Sequence, residues 1–417
     1  MQDRDLYARI LGLGDPWRVV DVQLDTRGGE VRVKVEAAAD ARCTCPTCGK
    51  QCPRYDARDR SWRHLDTCQF RTILTAPVPR VRCDEHGVLQ IHVPWAEPGS
   101  GFTALMEAVV IDWLRSLATI RAVAKQMRLS WDEVDGIQQR AVARGLARRK
   151  PEALRRLGID ETSFQRRHEY VTVVTSHDGA RVLHVADDRK RDGVDAFFAA
   201  QRPEHLVTIE SVTLDMWQPY IASVRAHVPG ADRKLAFDKF HVAKHLVDAV
   251  DKVRRAEHRA LLQQGDTSLT GARFVFLTNA AHLSAGQVNT LDVLRRMSLK
   301  TVRAWSLKEA ASNIWRYVRR PVALSAWLEW TAAAMRSRLE PLKRVARMIR
   351  EHLPGIVNGM ALRATNAVAE SVNARIQKIK AAACGFRNRN RFRNAILFHL
   401  GALDLYPAHA SGTHTKA

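Results

Sequence analysis

The spacing of apolar side chains changes three times along the chain. Near the start it has period two. Trp17–Asp25 (WRVVDVQLD) and Glu30–Ala39 (EVRVKVEAAA) alternate apolar and polar positions on either side of Gly28 and Gly29. That pattern predicts an antiparallel hairpin, preceded by a short helix over Asp5–Leu11. WRHLD and TILTAPVPRVRC continue as strands up to Cys83. From residue 102 to 144 the period is helical. FTALMEAVVIDWLRSL is one amphipathic helix, TIRAVAKQM a second, and a third starts at Ser130 after the turn RLS. Ser130 with Glu133 three residues on is a capping-box pattern. A short helix, a three-residue turn and a capped helix have helix-turn-helix spacing.

Strands return at Leu157. Leu157–Ile159 ends in Asp160, and Tyr170–Thr175 follows a turn-like RRHE. Arg181–Val185 follows His-Asp-Gly, a helix covers Val194–Ala200, and a fourth strand ends at Asp215. Trp217–Val228 reads as a helix with Pro219 in its first turn, where proline is tolerated. ADRKLAFD is a fifth strand, ending at Asp238. From Phe240 to about Pro354 the chain is nearly all helix-forming, and Trp305, Trp315, Trp327 and Trp330 there read as core residues. In ATNAVAESVNARIQKIK, Val368, Val372, Ile376 and Ile379 form an apolar helical stripe. Asn366, Glu370, Asn373 and Gln377 form a separate polar one. The predicted fold is α+β and multidomain.

Composition narrows the partners. The 417 residues exceed one compact core, so two to four domains are expected. Lys and Arg number 66 against 44 Asp and Glu, a net charge of +22, which points to a polyanion and above all to nucleic acid. No apolar run reaches the roughly 20 residues of a membrane helix. The start MQDRDLYARI lacks signal-peptide form, so the expected location is the cytoplasm, in association with the nucleoid.

Seven cysteines, six of them before residue 84, favour metal binding over disulfides. Cys45 and Cys48 form a Cys-x2-Cys knuckle shaped by Pro46 and Gly49. Cys83 and His86, followed by Gly87, form a second. Two knuckles separated by a hairpin make a zinc ribbon, because tetrahedral Zn²⁺ takes two short, sharply turned ligand pairs. Cys43, Cys52 and Cys68 are spare. On the third helix of the helix-turn-helix, Gln138, Gln139, Arg140 and Arg144 are candidate contacts to DNA bases or phosphates. Arg148 and Arg149 extend this into a basic stretch that could track a phosphate backbone. Asn373 beside Glu370 could orient a carboxylate or touch nucleic acid. Arg387, Arg389 and Arg391 line a basic segment suited to a phosphate channel. Acids at the mouth of a mixed sheet, Asp160 and Asp215, with Glu370 from a late helix, could hold two Mg²⁺ ions for phosphodiester chemistry.

These motifs together resemble a known family. CPTC with CDEHG, the helix-turn-helix, GIDETSF, DMWQPY, FDKFHVAKHL, AWSLKEA, TNAVAESVNARI and GFRNRNRF span nearly the whole chain. They resemble the DDE transposases of bacterial insertion sequences, and the ISL3 family in particular. The resemblance implies an RNase H-like catalytic domain interrupted by a helical insertion, with Asp160 and Glu370 as first and last catalytic acids. In the RNase H-like order the second acid follows the fourth strand, which selects Asp215. Asp238 and His241 are then a supporting or alternative pair, similar to the Asp-x2-His signature of related transposases. Relatives commonly have cysteine where this chain has His86.

The implied domains are a β unit with zinc ribbon (1–100), the helix-turn-helix and basic linker (101–150) and the first part of the catalytic core (151–245). A helical insertion (246–360), the last catalytic helix with its basic segment (361–405) and a disordered tail (406–417) follow. The implied activity is binding of terminal inverted repeats with Mg²⁺-dependent cleavage and strand transfer, by a homodimer or larger assembly on DNA. A DNA-binding regulator with a degenerate catalytic domain and a structure-specific nuclease are the rival readings.

Overall fold

The computed structural model describes residues 3–116, 119–165 and 169–408. The chain forms two compact units. One runs to Arg149 and takes up the chain again from Leu397; the other is Lys150–Ile396. The expected segment 361–405 is thus divided between them.

In the first unit α1 (Asp3–Ile10) precedes β1 (Trp17–Asp25) and β2 (Glu30–Ala37). Their turn is closed by Asp25, which accepts the N–H groups of Arg27 and Gly28 at 3.0 and 2.8 Å. β3 (Cys43–Thr44) and β4 (Gln51–Cys52) make a two-residue ladder. β5 (Arg54–Thr67), β6 (Phe70–Cys83) and β7 (Gly87–Gln90) follow. The sheet order is β1-β2-β6-β5, with β7 on the free part of β6. β5 begins eight residues before WRHLD, the strand expected there. Its residues 54–61 are all exposed, so pairing with β6 makes them a strand without any buried face.

Period two holds where burial demands it: Val31, Val33 and Val35 of β2 point inward. Trp95 meets Trp17 and Trp62 edge-on, with ring centroids 4.8 and 5.3 Å apart. Large aromatic rings packed this way give a small sheet a dense core. Three helices complete the unit: α2 (Ala104–Arg115), α3 (Ile120–Met127) and α4 (Trp131–Arg148). Thr103, Thr119 and Ser130 cap them through their side chains, and Ser130 with Glu133 forms the full capping box. The tail expected to be disordered from 406 begins with Tyr406 bonded to Arg115 at 2.9 Å, and from residue 409 lies outside the described residues.

The second unit is built on β8 (Arg156–Gln165), β9 (Glu169–Ser176) and β10 (Arg181–Ala186), an antiparallel meander. Then come α5 (Arg191–Ala199), α6 (Pro203–Val207), β11 (Ser211–Leu214), α7 (Gln218–His227), α8 (Ala231–Lys234) and β12 (Leu235–Phe237). Residues 166–168 of the expected RRHE turn lie outside the described residues. The sheet order is β10-β9-β8-β11-β12, with β11 parallel to both β8 and β12. The long helix α9 (Lys239–Leu262), α10 (Arg273–Leu277), a 3-10 turn at Ala280–His282, α11 (Ala285–Arg295), α12 (Lys300–Ile314), α13 (Arg320–Arg336) and α14 (Glu340–Ala361) follow. α15 (Ala367–Ala382) and α16 (Arg389–Leu400) close the fold.

Leu157 and Ile159 pack into one core with Phe198, Tyr220 and Val224, so α5 and α7 cover that face of β8. Trp327 is fully buried and meets Trp315 and Trp330 at 5.6 and 5.7 Å, as core residues do. α14 approaches β12 closely because Gly355 and Gly359 lack Cβ atoms. Added ones would lie 2.3 Å from the Phe237 ring and 2.5 Å from its carbonyl oxygen.

Candidate active site and metal centre

The strand register sets the acids level. Ile159 of β8 pairs with Leu214 of β11, and Leu214 with Phe237 of β12. The next residue on each strand is an aspartate: Asp160, Asp215 and Asp238. Neighbouring strands lie about 4.8 Å apart, so three carboxylates crowd one edge of the sheet. Asp160 does not end its strand, as the apolar run suggested. β8 continues to Gln165 against β9, while its other neighbour, β11, stops at Leu214. Beyond Asp160, β8 therefore has an open side.

α15 covers that opening. Asn373 and Gln377 donate to the carbonyl oxygens of Glu161 and Ser163, each at 3.3 Å, and Lys380 donates to that of Ser163 at 2.9 Å. Backbone acceptors left unpaired by β11 are thus satisfied by helix side chains, as buried carbonyl groups require. The close approach depends on Gly158, whose added Cβ would be 3.3 Å from that of Ala369 on α15. Two amides of the helix, Asn366 and Asn373, donate to the same oxygen, Asp160 Oδ2, at 3.2 and 2.9 Å. Glu370 lies between these two asparagines on the same helical stripe, exposed, in the first turn of α15. The helix therefore carries Glu370 past the Asp160 carboxylate.

Asp215 and Asp238 differ in what their oxygens do. Asp238 is 7% exposed. Its Oδ1 accepts the Phe240 N–H at 2.7 Å and caps α9, and its Oδ2 accepts the N–H of Asn366. Asp215 is half exposed; among the described residues its Oδ1 accepts only from its neighbour Met216, at 2.7 Å, and faces His241 Nδ1 at 3.7 Å. Asp160 is more enclosed than Asp215. Burial pushes its carboxyl above the usual carboxylate range, against the opposing pull of the Glu161 N–H, His241 and Asn366. A carboxylate held this way has reason to take a cation. Glu161, on the other face, accepts from Tyr220 at 3.1 Å and pairs with Arg189 at 2.6 Å.

In the first unit Cys45, Cys48, Cys83 and His86 bring one ligand atom each to within 4.8 Å of one another. The closest separations are 3.5 Å for Cys83 to His86, 3.8 Å for Cys48 to Cys83 and 3.9 Å for Cys45 to His86. A tetrahedral zinc with bonds of about 2.3 Å to sulfur and about 2.0–2.1 Å to nitrogen spaces its ligands by about 3.5–3.8 Å. The four fit that ion. Cys43 and Cys52 face each other across the β3–β4 ladder, and Cys68 is exposed in the β5–β6 turn.

The DNA-contact candidates on α4 are placed otherwise than expected. Gln138 is 4% exposed, inside the bundle. Arg144 pairs with Glu97 at 2.5 Å and with the buried Glu107 at 2.8 Å, and Arg140 reaches Glu107 at 2.6 Å. A carboxylate as buried as Glu107 needs such cations, so Arg140 and Arg144 tie α4 to it. Gln139 donates to Asp135 at 2.7 Å. Arg148 reaches the Tyr406 carbonyl at 2.6 Å and Arg149 that of Gly401 at 2.8 Å. The Asn373 amide donates to the Asp160 carboxylate and the Glu161 carbonyl, the first of the two uses expected of it. Arg389 pairs with Glu169 at 3.0 Å and Arg391 is partly buried, while Arg387 is exposed. Arg121 and Lys125 on α3, not singled out in the sequence, are exposed and carry no ion pair among the described residues. Their i, i+4 spacing on a helix-turn-helix was the available signal.

Three family models cover most of the chain. A model described as "Transposase" matches residues 157–396, more than half of the chain. One for the helix-turn-helix domain of transposase family ISL3 matches 91–142. One for the zinc-finger of transposase IS204/IS1001/IS1096/IS1165 matches 41–86. Among curated proteins, the transposase for insertion sequence element IS1557 of Mycobacterium tuberculosis is 28% identical, over 93% of both chains. That for IS1001 of Bordetella parapertussis is 26% identical, over 84% of this chain and 86% of its own. The ribbon, the helix-turn-helix and the acid-lined sheet all fall inside the matched regions, and the chain belongs to the ISL3 family of DDE transposases.

Proposed function

We propose that this transposase binds the terminal inverted repeats of an insertion sequence and catalyses Mg²⁺-dependent DNA cleavage and strand transfer, with Asp160, Asp215 and Glu370 as its catalytic acids. The observation carrying this is the register that sets Asp160 level with Asp215, beneath a helix that brings Glu370 between two asparagines bonded to Asp160. The strand order, three antiparallel strands followed by two parallel ones, supports an RNase H-like core. On that reading α9–α14 form an insertion before the last catalytic helix.

All three carboxylates offer hard oxygen donors; Asp215 accepts one backbone N–H among the described residues, whereas both oxygens of Asp238 are taken by backbone N–H groups. Mg²⁺ bound there would polarise the scissile phosphate and activate water or a 3′ hydroxyl. The chain's own part is to orient. The Glu161 N–H fixes Asp160 Oδ1 at 2.7 Å and the Met216 N–H fixes Asp215 Oδ1 at 2.7 Å, while Asn366 and Asn373 hold Asp160 Oδ2. His241 Nδ1 lies 3.7 Å from Asp215 Oδ1, and Asp238 anchors α9 to the start of α15. Zn²⁺ held by Cys45, Cys48, Cys83 and His86 would fix the ribbon for binding the ends. Arg121, Lys125 and Arg387 are exposed basic groups for phosphate contact, and Gln139, Arg140, Arg148, Arg149, Arg389 and Arg391 are further candidates. A homodimer or larger assembly would hold two ends together, in the cytoplasm on the nucleoid.

The test is cleavage of a plasmid carrying the element's two ends. Asp160→Ala, Asp215→Ala and Glu370→Ala should each abolish Mg²⁺-dependent cutting and joining while end binding persists. Full activity in any of them removes that residue from the site. Cutting without joining by the wild-type protein would favour the nuclease reading.

A further inference from the structure

Two aromatic side chains stand exposed beside the acids, and nothing above gives them a role. Trp217 is 42% exposed and Phe240 59%. Each follows an aspartate by two residues, in Asp215-Met-Trp217 and Asp238-Lys-Phe240. Because Leu214 pairs with Phe237, the two motifs leave neighbouring parallel strands at the same level. The sheet thus presents one aromatic ring past each of two adjacent strand ends.

Both rings are tied to the site. The Arg189 guanidinium lies over the Trp217 ring and over that of Tyr170, each at 5.2 Å, while its Nε pairs with Glu161 beside Asp160. Trp217 Nε1 donates to the Arg189 carbonyl at 3.4 Å. The indole is therefore held in place with much of its surface still open. On the other side, Phe240 meets His241 edge-on at 6.1 Å, and His241 faces Asp215 at 3.7 Å. An aromatic ring backed by a guanidinium is a surface on which a nucleobase stacks, whatever its sequence. A fully paired duplex hides its base faces; only a base that has left the helix offers one.

Resting on the cleavage reading above, we infer that Trp217, backed by Arg189, and Phe240 form a stacking site for unpaired nucleobases next to the phosphate held by the acids. The ligand class is an unpaired DNA nucleotide at a duplex end. Stacking at such platforms changes affinity by about 5- to 150-fold per base.

The experiment uses the full chain and two fluorescent duplexes in Ca²⁺: one fully paired, one identical but with its last two nucleotides unpaired. Anisotropy gives Kd for each, and the ratio is read within each variant, so loss of folded protein lowers both affinities without mimicking the effect. Wild type should prefer the frayed duplex by at least about 25-fold, the product of two stacked bases at about 5-fold or more each. Phe240→Ala and Trp217→Ala should each lower the ratio by about 5- to 150-fold, and Trp217→Phe should restore most of it. No preference in the wild type, or a ratio unchanged in either alanine variant, overturns the inference. Mg²⁺-dependent cleavage by the wild type, lost in Asp160→Ala, is scored separately, so a protein that cuts but shows no preference refutes the stacking site alone.

Discussion

Replacing Asp215 and Asp238 in turn separates the catalytic acid from the structural one. Asp238→Ala removes the cap of α9 and leaves the buried N–H of Asn366 without its acceptor. Losing an N-cap costs about 0.5–2 kcal/mol, and a buried donor without a partner costs about 1–3 kcal/mol. The sum is about 1.5–5 kcal/mol. For a unit of this size each kcal/mol moves the melting temperature by about 2–4 °C, so Asp238→Ala should melt roughly 3–20 °C lower. Asp215 is half exposed, and its carboxylate accepts a single backbone N–H. Asp215→Ala should melt within about 2 °C of wild type, as surface changes usually do. Activity should reverse this order. Below its melting point Asp238→Ala should retain measurable Mg²⁺-dependent cleavage, and Asp215→Ala should retain none. Calorimetry and a plasmid cleavage assay at 20 °C check both. An Asp238→Ala protein as stable as wild type and devoid of cleavage, beside an active Asp215→Ala, would refute the assignment.

Three further outcomes follow from the same geometry. Gly158→Ala would set a Cβ 2.5 Å from His177 Nε2, 2.7 Å from Thr175 Oγ1 and 3.3 Å from Ala369 Cβ, the last pressing on α15. It should cost about 1–3 kcal/mol of stability and reduce cleavage by about 100-fold if Glu370 shifts by an ångström; wild-type cleavage would show that α15 is not held at that contact. The protein should bind one equivalent of Zn²⁺ and lose it in Cys83→Ala, together with proteolytic protection around residues 43–90; zinc retained by that variant would count against the four ligands. Burial pushes the His64 imidazole down to about 4 from 6.5, so the folded state excludes a proton that the unfolded chain takes up. Its contribution is whole above pH 6.5 and falls away as pH drops toward 4, by about 3 kcal/mol in all. His64→Gln should flatten that part of the stability curve relative to wild type, and parallel curves would contradict it.

What the residues revealed depended on how strongly local chemistry constrains them. The two knuckles were legible because a tetrahedral ion dictates short ligand spacing, and Ser130 with Glu133 because a capping box is local. The strands from Leu157 to Asp215 followed from apolar runs bounded by turns. β5 was only half visible, since an edge strand with every residue from 54 to 61 exposed has no alternation to read. The position of Asp160 within β8 was hidden for a related reason: apolar residues stop where β11 stops, while the strand itself continues against β9. The roles of Arg140 and Arg144 could not be read from α4 alone. They depend on Glu107, 33 and 37 residues earlier, being buried against that helix. Asn366 and Asn373 were visible as a stripe, but their shared target, one oxygen of Asp160, is set by tertiary packing.

The most direct measurement is anomalous diffraction at the manganese edge from crystals grown with Mn²⁺ and DNA ends. The account predicts metal density bonded to the carboxylates of Asp160 and Asp215, with Glu370 within coordination reach. Density on Asp238 in place of Asp215, or an Asp160 carboxylate with no metal beside it, would contradict it.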